Sequence, residues 1–223
     1  MSVIDMTRRV FTCLLLTFAL CGVSQAYAQK RVPAGNDSAG FSFSTGSVDA
    51  AGRQLSPAEP IISYRLDIAM LAGIDDRPTI KVYGDGRVTV HYPVYMKKAG
   101  DYQMQLEEDE LVNLVQSLSG SGVLDFDEVK VKQKIREKKD KRRAKGLLYA
   151  ISDSTETVID VRLDEYQKDR SAKAVKQFHK RFRWADIEHD ARRYPQQREI
   201  VEANRSVQQL RGLMKDHRLV RRR

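Results

Sequence analysis

Cysteine is nearly absent from this chain. Both cysteines, Cys13 and Cys21, fall within the first 28 residues. For the remainder this excludes a disulfide framework, a thiolate nucleophile, a zinc–thiolate site and an iron–sulfur cluster. Long apolar runs are missing too. The stretch from Phe11 to Val23 has 13 residues, whereas a membrane-spanning helix needs about 20. Tryptophan occurs once, at Trp184. Acidic residues are outnumbered, with 30 Asp and Glu against 39 Lys and Arg, a formal net charge of +9. That surplus directs the search for partners toward anions. Hydrophobic residues make up 41% and charged residues 31% of the 223 positions. This balance excludes a polytopic membrane protein, a collagen-like chain and a wholly disordered one.

What is present begins with a targeting pattern. Arg8 and Arg9 precede the apolar run, and Ala26-Tyr27-Ala28 supplies small residues at −3 and −1. Residues 1–28 therefore read as a secretory signal peptide, cleaved between Ala28 and Gln29. Thr7-Arg8-Arg9-Val10-Phe11 is similar to a twin-arginine export signal, but Thr12 departs from that pattern, so the general secretory route is favoured. A lipid anchor on Cys21 is disfavoured because Leu20 is bulky where a small residue is expected. The expected location is periplasmic or secreted, with no transmembrane span in the mature chain.

Residues 29–60 are rich in Gly, Pro, Ser and Ala and read as a disordered linker, with Phe41 and Phe43 as exceptions able to dock. Residues 61–217 read as one domain. Ile62, Tyr64, Leu66, Ile68 and Met70 alternate with polar or small residues, predicting a half-buried strand. Gly84-Asp85-Gly86 between two alternating runs predicts a hairpin. Pro93 is expected to end the second of those strands, and Tyr102, Met104 and Leu106 to form another. Leu111, Leu114, Val115 and Leu118 predict a helix with acids at its start and glycines at its end. A second hairpin is expected from 147–151 through a turn at 152–155 to 158–163, then a last strand at 180–184. A short helix follows at 186–194. Pro195 is expected as the first residue of a final helix carrying Ile200, Ala203, Val207, Leu210, Leu213 and Met214. Residues 218–223 read as a basic tail, frayed at Arg221-Arg222-Arg223. The sum predicts an α+β fold, an antiparallel, hairpin-rich sheet with helices packed on one face.

Several of these stretches together resemble a group of uncharacterised bacterial exported proteins. They are Tyr83-Gly-Asp-Gly-Arg-Val88, Asp109-Glu-Leu111 and Thr157-Val-Ile-Asp-Val-Arg-Leu-Asp-Glu-Tyr166, followed by Arg183-Trp184 and Asp190-Ala-Arg-Arg-Tyr-Pro195. The resemblance implies this architecture and a bacterial envelope location. It carries no activity and no reaction signature.

No nucleophile elbow, phosphate-binding loop or dinucleotide fingerprint occurs, and no His-Glu-x-x-His spacing is formed by His91, His179, His189 or His217. Asp186, Glu188, His189 and Asp190 cluster at a helix start, where acids satisfying the helix dipole explain them better than a metal does. No cofactor, metal site or catalytic residue is assigned, and Trp184 reads as core. Charge is the positive signal. Residues 128–145 hold a net +7 and residues 211–223 a net +5, so the rest of the mature chain is mildly acidic. Lys130, Lys132, Lys134, Arg136, Lys138, Lys139, Lys141, Arg142, Arg143 and Lys145 are the candidate contacts to an anionic envelope component or an acidic protein. Nucleic acid is disfavoured, since no aromatics are interleaved to stack bases. The expectation is a binding protein rather than an enzyme. The alternatives are an enzyme or enzyme inhibitor with a cleft invisible in sequence, or a weak metal-binding envelope protein.

Overall fold

The computed structural model describes residues 31–33, 41–44, 59–68, 76–147 and 154–222. The expected signal peptide and its cleavage point lie outside this set. The described chain is α+β, with nine antiparallel strands and four helices. The strands are β1 Arg31–Pro33, β2 Ser42–Ser44, β3 Ile62–Ile68, β4 Thr79–Val82, β5 Arg87–Tyr92, β6 Gly100–Gln105, β7 Thr155–Gln167, β8 Val175–Ala185 and β9 Val220–Arg221. The helices are α1 Glu108–Gly120, α2 Glu128–Arg143, α3 Ile187–Arg193 and α4 Arg198–Leu213. Among the described residues no helix is long and apolar enough to cross a membrane.

The sheet runs β9-β6-β5-β4-β3-β7-β8, and β2 continues the line of β3 along the far end of β7, with β1 beside it. Alternation sorts its two faces. Ile62, Tyr64, Ile80, Val82, Val88, Val90, Ile159 and Val161 are buried and meet Leu111, Leu114, Val115 and Leu118 of α1 and Ile200, Ala203, Val207 and Leu210 of α4. The opposite face carries Ser63, Arg65, Lys81, Thr89, His91, Asp160 and Arg162, none of them buried.

The first hairpin forms where expected, with Gly84-Asp85-Gly86 as its loop. Tyr83 N donates to Arg87 O at 2.9 Å, and Gly86 takes φ +83°. A Cβ at Gly86 would stand 2.5 Å from Leu106 O, so both conformation and space demand glycine there. Helix α1 starts with Glu110 Oε2 accepting from Glu107 N at 2.8 Å. Its apolar stripe faces the sheet as the spacing requires.

Four expectations need correction. The 29–60 segment supplies β1 and β2, and Phe43 pairs with Tyr166 while Phe41 packs on the same ring. The Gly- and Pro-rich composition conceals strands too short to show a period. The second hairpin closes elsewhere: β7 is bounded by β3 and β2 along one edge and, along the other, by β8, the next strand in the chain. Residues 148–153 of that expected hairpin lie outside the described set, as does Met70. Pro195 sits in a turn and α4 begins at Arg198, with Gln197 at the N-cap. The basic tail is ordered through Arg222. Arg218 bonds both Glu110 and Asp216, β9 pairs with β6, and Arg222 N donates to Asp101 O at 2.8 Å.

Strand β8 closes one side of the sheet. Among the described residues it pairs with β7 alone. Phe182 and Trp184 point into the core, and Lys180 Nζ turns inward to Phe126 O at 2.7 Å. Lys176, Arg181 and Arg183 are exposed.

Candidate anion-contact surface

The ten cations proposed from sequence lie on α2 and the turn after it, a helix roughly 24 Å long at 1.5 Å per residue. Asp127 caps its start, accepting from Lys130 N at 3.0 Å. Val131 and Ile135 are its two buried side chains. They pin one stripe of the helix, and that stripe decides which cations face inward. Lys134 lies beside Ile135, and Lys138 follows one turn later. Lys134 Nζ reaches Glu199 Oε1 at 2.6 Å, and Lys138 Nζ reaches Gln197 Oε1 at 2.7 Å. Gln197 is buried and passes a further hydrogen bond to Glu199 at 2.9 Å. The Lys134 ammonium, more than its other neighbours, holds the Glu199 carboxyl below its ordinary pKa. Lys139 stands 3.8 Å from buried Asp190, which also accepts from Trp184 Nε1 at 3.1 Å. Lys132 pairs with Glu128, and its ammonium lies 5.8 Å from the Trp184 ring centre.

Four of the ten candidates are thus engaged by the protein itself. The remaining six are Lys130, Arg136, Lys141, Arg142, Arg143 and Lys145. All six are exposed, and among the described residues their side chains have no counter-charge. Most of them gather at the C-terminal end of α2, where cations also complement the helix dipole. Periodicity alone would have set Lys134 and Lys138 apart, though not Lys132 and Lys139. Positions 131, 134, 135 and 138 form one helical stripe, and a lysine inside it belongs to the fold.

The tail departs from the expected contact surface. Arg218 is bound bidentately by Glu110 and again by Asp216, and the guanidinium draws the Asp216 carboxyl down to about 2. Arg211 pairs with Glu188. These two arginines serve internal links.

The chain matches no protein-family model, no curated protein and no solved structure. Function has to be read from geometry.

On the open face of the sheet, sequence reasoning missed a clasp. His91 Nδ1 lies 2.7 Å from Asp101 Oδ1, and its Nε2 lies 2.5 Å from Asp76 Oδ1. Two carboxylates on one ring favour the imidazolium. Partial burial pulls the His91 pKa down, but the hydrogen bonds to Asp101 and Asp76 outweigh it, and the net shift is upward. Asp76 also accepts from Val94 N at 2.9 Å, the leading reason its own pKa is lowered. A ring donating from both nitrogens has no lone pair for a metal or a substrate proton. His91 therefore ties β5 and β6 to the segment before β4, and Asp76 extends the link to the turn after β5. A shallow cleft of about 460 Å³ adjoins it, lined by Arg65, Lys81 and Arg222 among others. Strand pairing places Asp101 opposite His91, a juxtaposition that sequence separation hid.

The acidic cluster considered for a metal is dispersed. Asp186 accepts from Thr155 N, Glu188 binds Arg211 and Gln208, and Asp190 binds Trp184. Among the described residues no group of three or more His, Cys, Asp or Glu is placed to hold a metal ion.

Proposed function

We propose that this protein is an exported binding protein of the bacterial envelope that holds an anionic surface through the exposed cations of α2. One observation carries the reading. Six cations crowd a helix that the fold needs for little else, and none of them has a counter-charge among the described residues. The targeting pattern of residues 1–28 supports the compartment. Basic residues near an anionic bilayer are attracted by about 1 kcal/mol each, so several acting together give useful affinity without a shaped pocket.

The test is co-sedimentation of the purified protein with phosphatidylglycerol-containing vesicles across a salt series, with neutral vesicles alongside. The companion carries Arg136→Gln, Lys141→Gln, Arg142→Gln and Arg143→Gln. Binding to the anionic vesicles is expected at low salt, declining as salt screens it, and the companion is expected to release at markedly lower salt. Equal binding to neutral vesicles, or an unchanged salt midpoint in the companion, would overturn the proposal.

A further inference from the structure

The turn between β5 and β6 displays apolar side chains that the fold does not bury. Val94 is 81% exposed and Tyr95 43%. An exposed apolar side chain standing alone is ordinary on a protein surface. Among the described residues, however, these two are the one adjacent pair of large apolar side chains left exposed. The turn is also firmly built. Met96 N donates to Pro93 O at 2.9 Å, and Ala99 N to Met96 O at 3.1 Å. The Asp76 carboxylate accepts from Val94 N at 2.9 Å and is held by His91, while the Asp76 carbonyl accepts from the Tyr95 hydroxyl at 3.4 Å. A tip fixed in this way presents its side chains with little freedom left to lose on contact.

Behind the tip the apolar surface turns inward. A concave region of about 690 Å³ is lined by Met96 from the turn, Leu66 from β3 and Met214 from the end of α4. Tyr92 O–H donates to the Met214 carbonyl and so fixes the end of α4 against β5.

Four cations from three separate parts of the chain gather around this surface. Lys97 and Lys98 follow the tip and line the concave region, and Lys215 lines it from the end of α4. The pairing of β9 with β6 sets Arg221 opposite Tyr102, whose ring packs edge-on against Tyr92, another residue of the lining. The Arg221 guanidinium lies over Gly100, just past the turn, where a Cβ would stand 3.2 Å from it. All four cations are exposed, and among the described residues none has an ion-pair partner. The acids close by are engaged: Asp76 and Asp101 hold His91, and Glu188 holds Arg211.

We propose that this turn is a bilayer-insertion tip. Val94 and Tyr95 enter the interfacial region of an anionic phospholipid membrane, and Lys97, Lys98, Lys215 and Arg221 lie at its headgroups. Apolar side chains ringed by cations match a boundary that is apolar within and anionic at its surface, and tyrosine suits that boundary. The inference does not rest on α2. Contact there is through charge, whereas contact here has an apolar part that salt does not screen.

Lipids brominated along their acyl chains test it. Tyr95→Trp places an indole on the tip, and the native Trp184, 3% exposed, serves as the internal control. Vesicles of brominated phosphatidylglycerol are expected to cause a loss of emission from Tyr95→Trp and none from the unaltered protein. The α2 companion described above, given Tyr95→Trp as well, should lose emission equally once enough lipid is added to bind it. Val94→Ser should partition about fivefold more weakly, for the lost contact of one apolar side chain. Its thermal midpoint should not fall, because Val94 lies outside the core. Lys97→Gln, Lys98→Gln, Lys215→Gln and Arg221→Gln together should weaken partitioning to anionic vesicles and leave that to neutral vesicles unchanged. Tyr95→Trp protein that sediments with the vesicles but keeps its emission overturns the proposal and points the tip to a partner protein instead. A Val94→Ser variant or a four-cation variant that partitions like the unaltered protein overturns it too, as does failure of the protein to bind anionic vesicles.

Discussion

Helices α2 and α4 have the same length, 16 residues, and opposite constructions. Helix α4 buries Ile200, Ala203, Ser206, Val207 and Leu210 along one stripe, whereas α2 buries Val131 and Ile135 alone. The first is a wall of the core. The second is a charged rod held by two apolar pins, a cap and a few ion pairs. A helix this polar gains little from burial, so its stability comes from local chemistry, and its outer surface is left for contact with other molecules.

The contrast is open to direct attack. Leu210→Ala should cause the largest loss, about 2–5 kcal/mol of global stability, seen as a lower Tm and denaturant midpoint. Ile135→Ala should cost less, about 2 kcal/mol, because α2 can undock while the sheet survives. Hydrogen exchange would then rise in α2 before anywhere in α4. Equal, global effects of the two substitutions would show that α2 is as integral as α4. Asp127→Ala removes the cap of α2 and should cost about 1 kcal/mol, read from the same exchange profile.

Acid sharpens the comparison further. Lys134 is the main cause of the depressed Glu199 pKa. A depressed carboxylate contributes stability above its unfolded pKa and loses that contribution as pH falls through the folded value. The tie between α2 and α4 should therefore weaken below about pH 4.5, the ordinary value for Glu. Both partners are near 40% exposed, so solvent screening limits the effect to below about 1 kcal/mol. It should appear as selective loss of amide protection in α2, after correction for intrinsic exchange, and Glu199→Gln should remove the pH dependence. The smallest effect belongs to the outer cations. Neutralising Arg136, Lys141, Arg142 and Arg143 should move stability by no more than about 0.5 kcal/mol. A larger loss would mean that these residues hold the fold together.

The sequence made local features legible and non-local ones obscure. The turn at Gly84-Asp85-Gly86 and the stripe of α1 are written within a dozen residues, and both appear in the structure. The partners of β7 are not. Val158–Leu163 announces a strand, and the strand expected at 180–184 does lie beside it, but nothing in its neighbourhood points to Ile62 on its other edge. Strands of three residues, as at Ser42–Ser44, are shorter than any detectable period, and only the two phenylalanines hinted at docking. For the site, composition located the charge but not its division. For Lys134 and Lys138 that division follows from which stripe of α2 the two apolar residues turn inward. The space of about 690 Å³ at the end of α4 was illegible because Tyr64 and Met214 each read as ordinary core, and only the fold sets them around it.

Strand β8 has a consequence for how copies of the molecule meet in a crowded compartment. The outer edge of an 11-residue strand, open among the described residues, is a template for another chain. Here Lys176 and Arg181 line it, Arg183 is paired with Glu156, and Lys180 is drawn inward to the Phe126 carbonyl. Two such edges approaching each other would bring like charges together before any backbone hydrogen bond formed. The charge on β8 thus opposes the joining of two sheets through that edge.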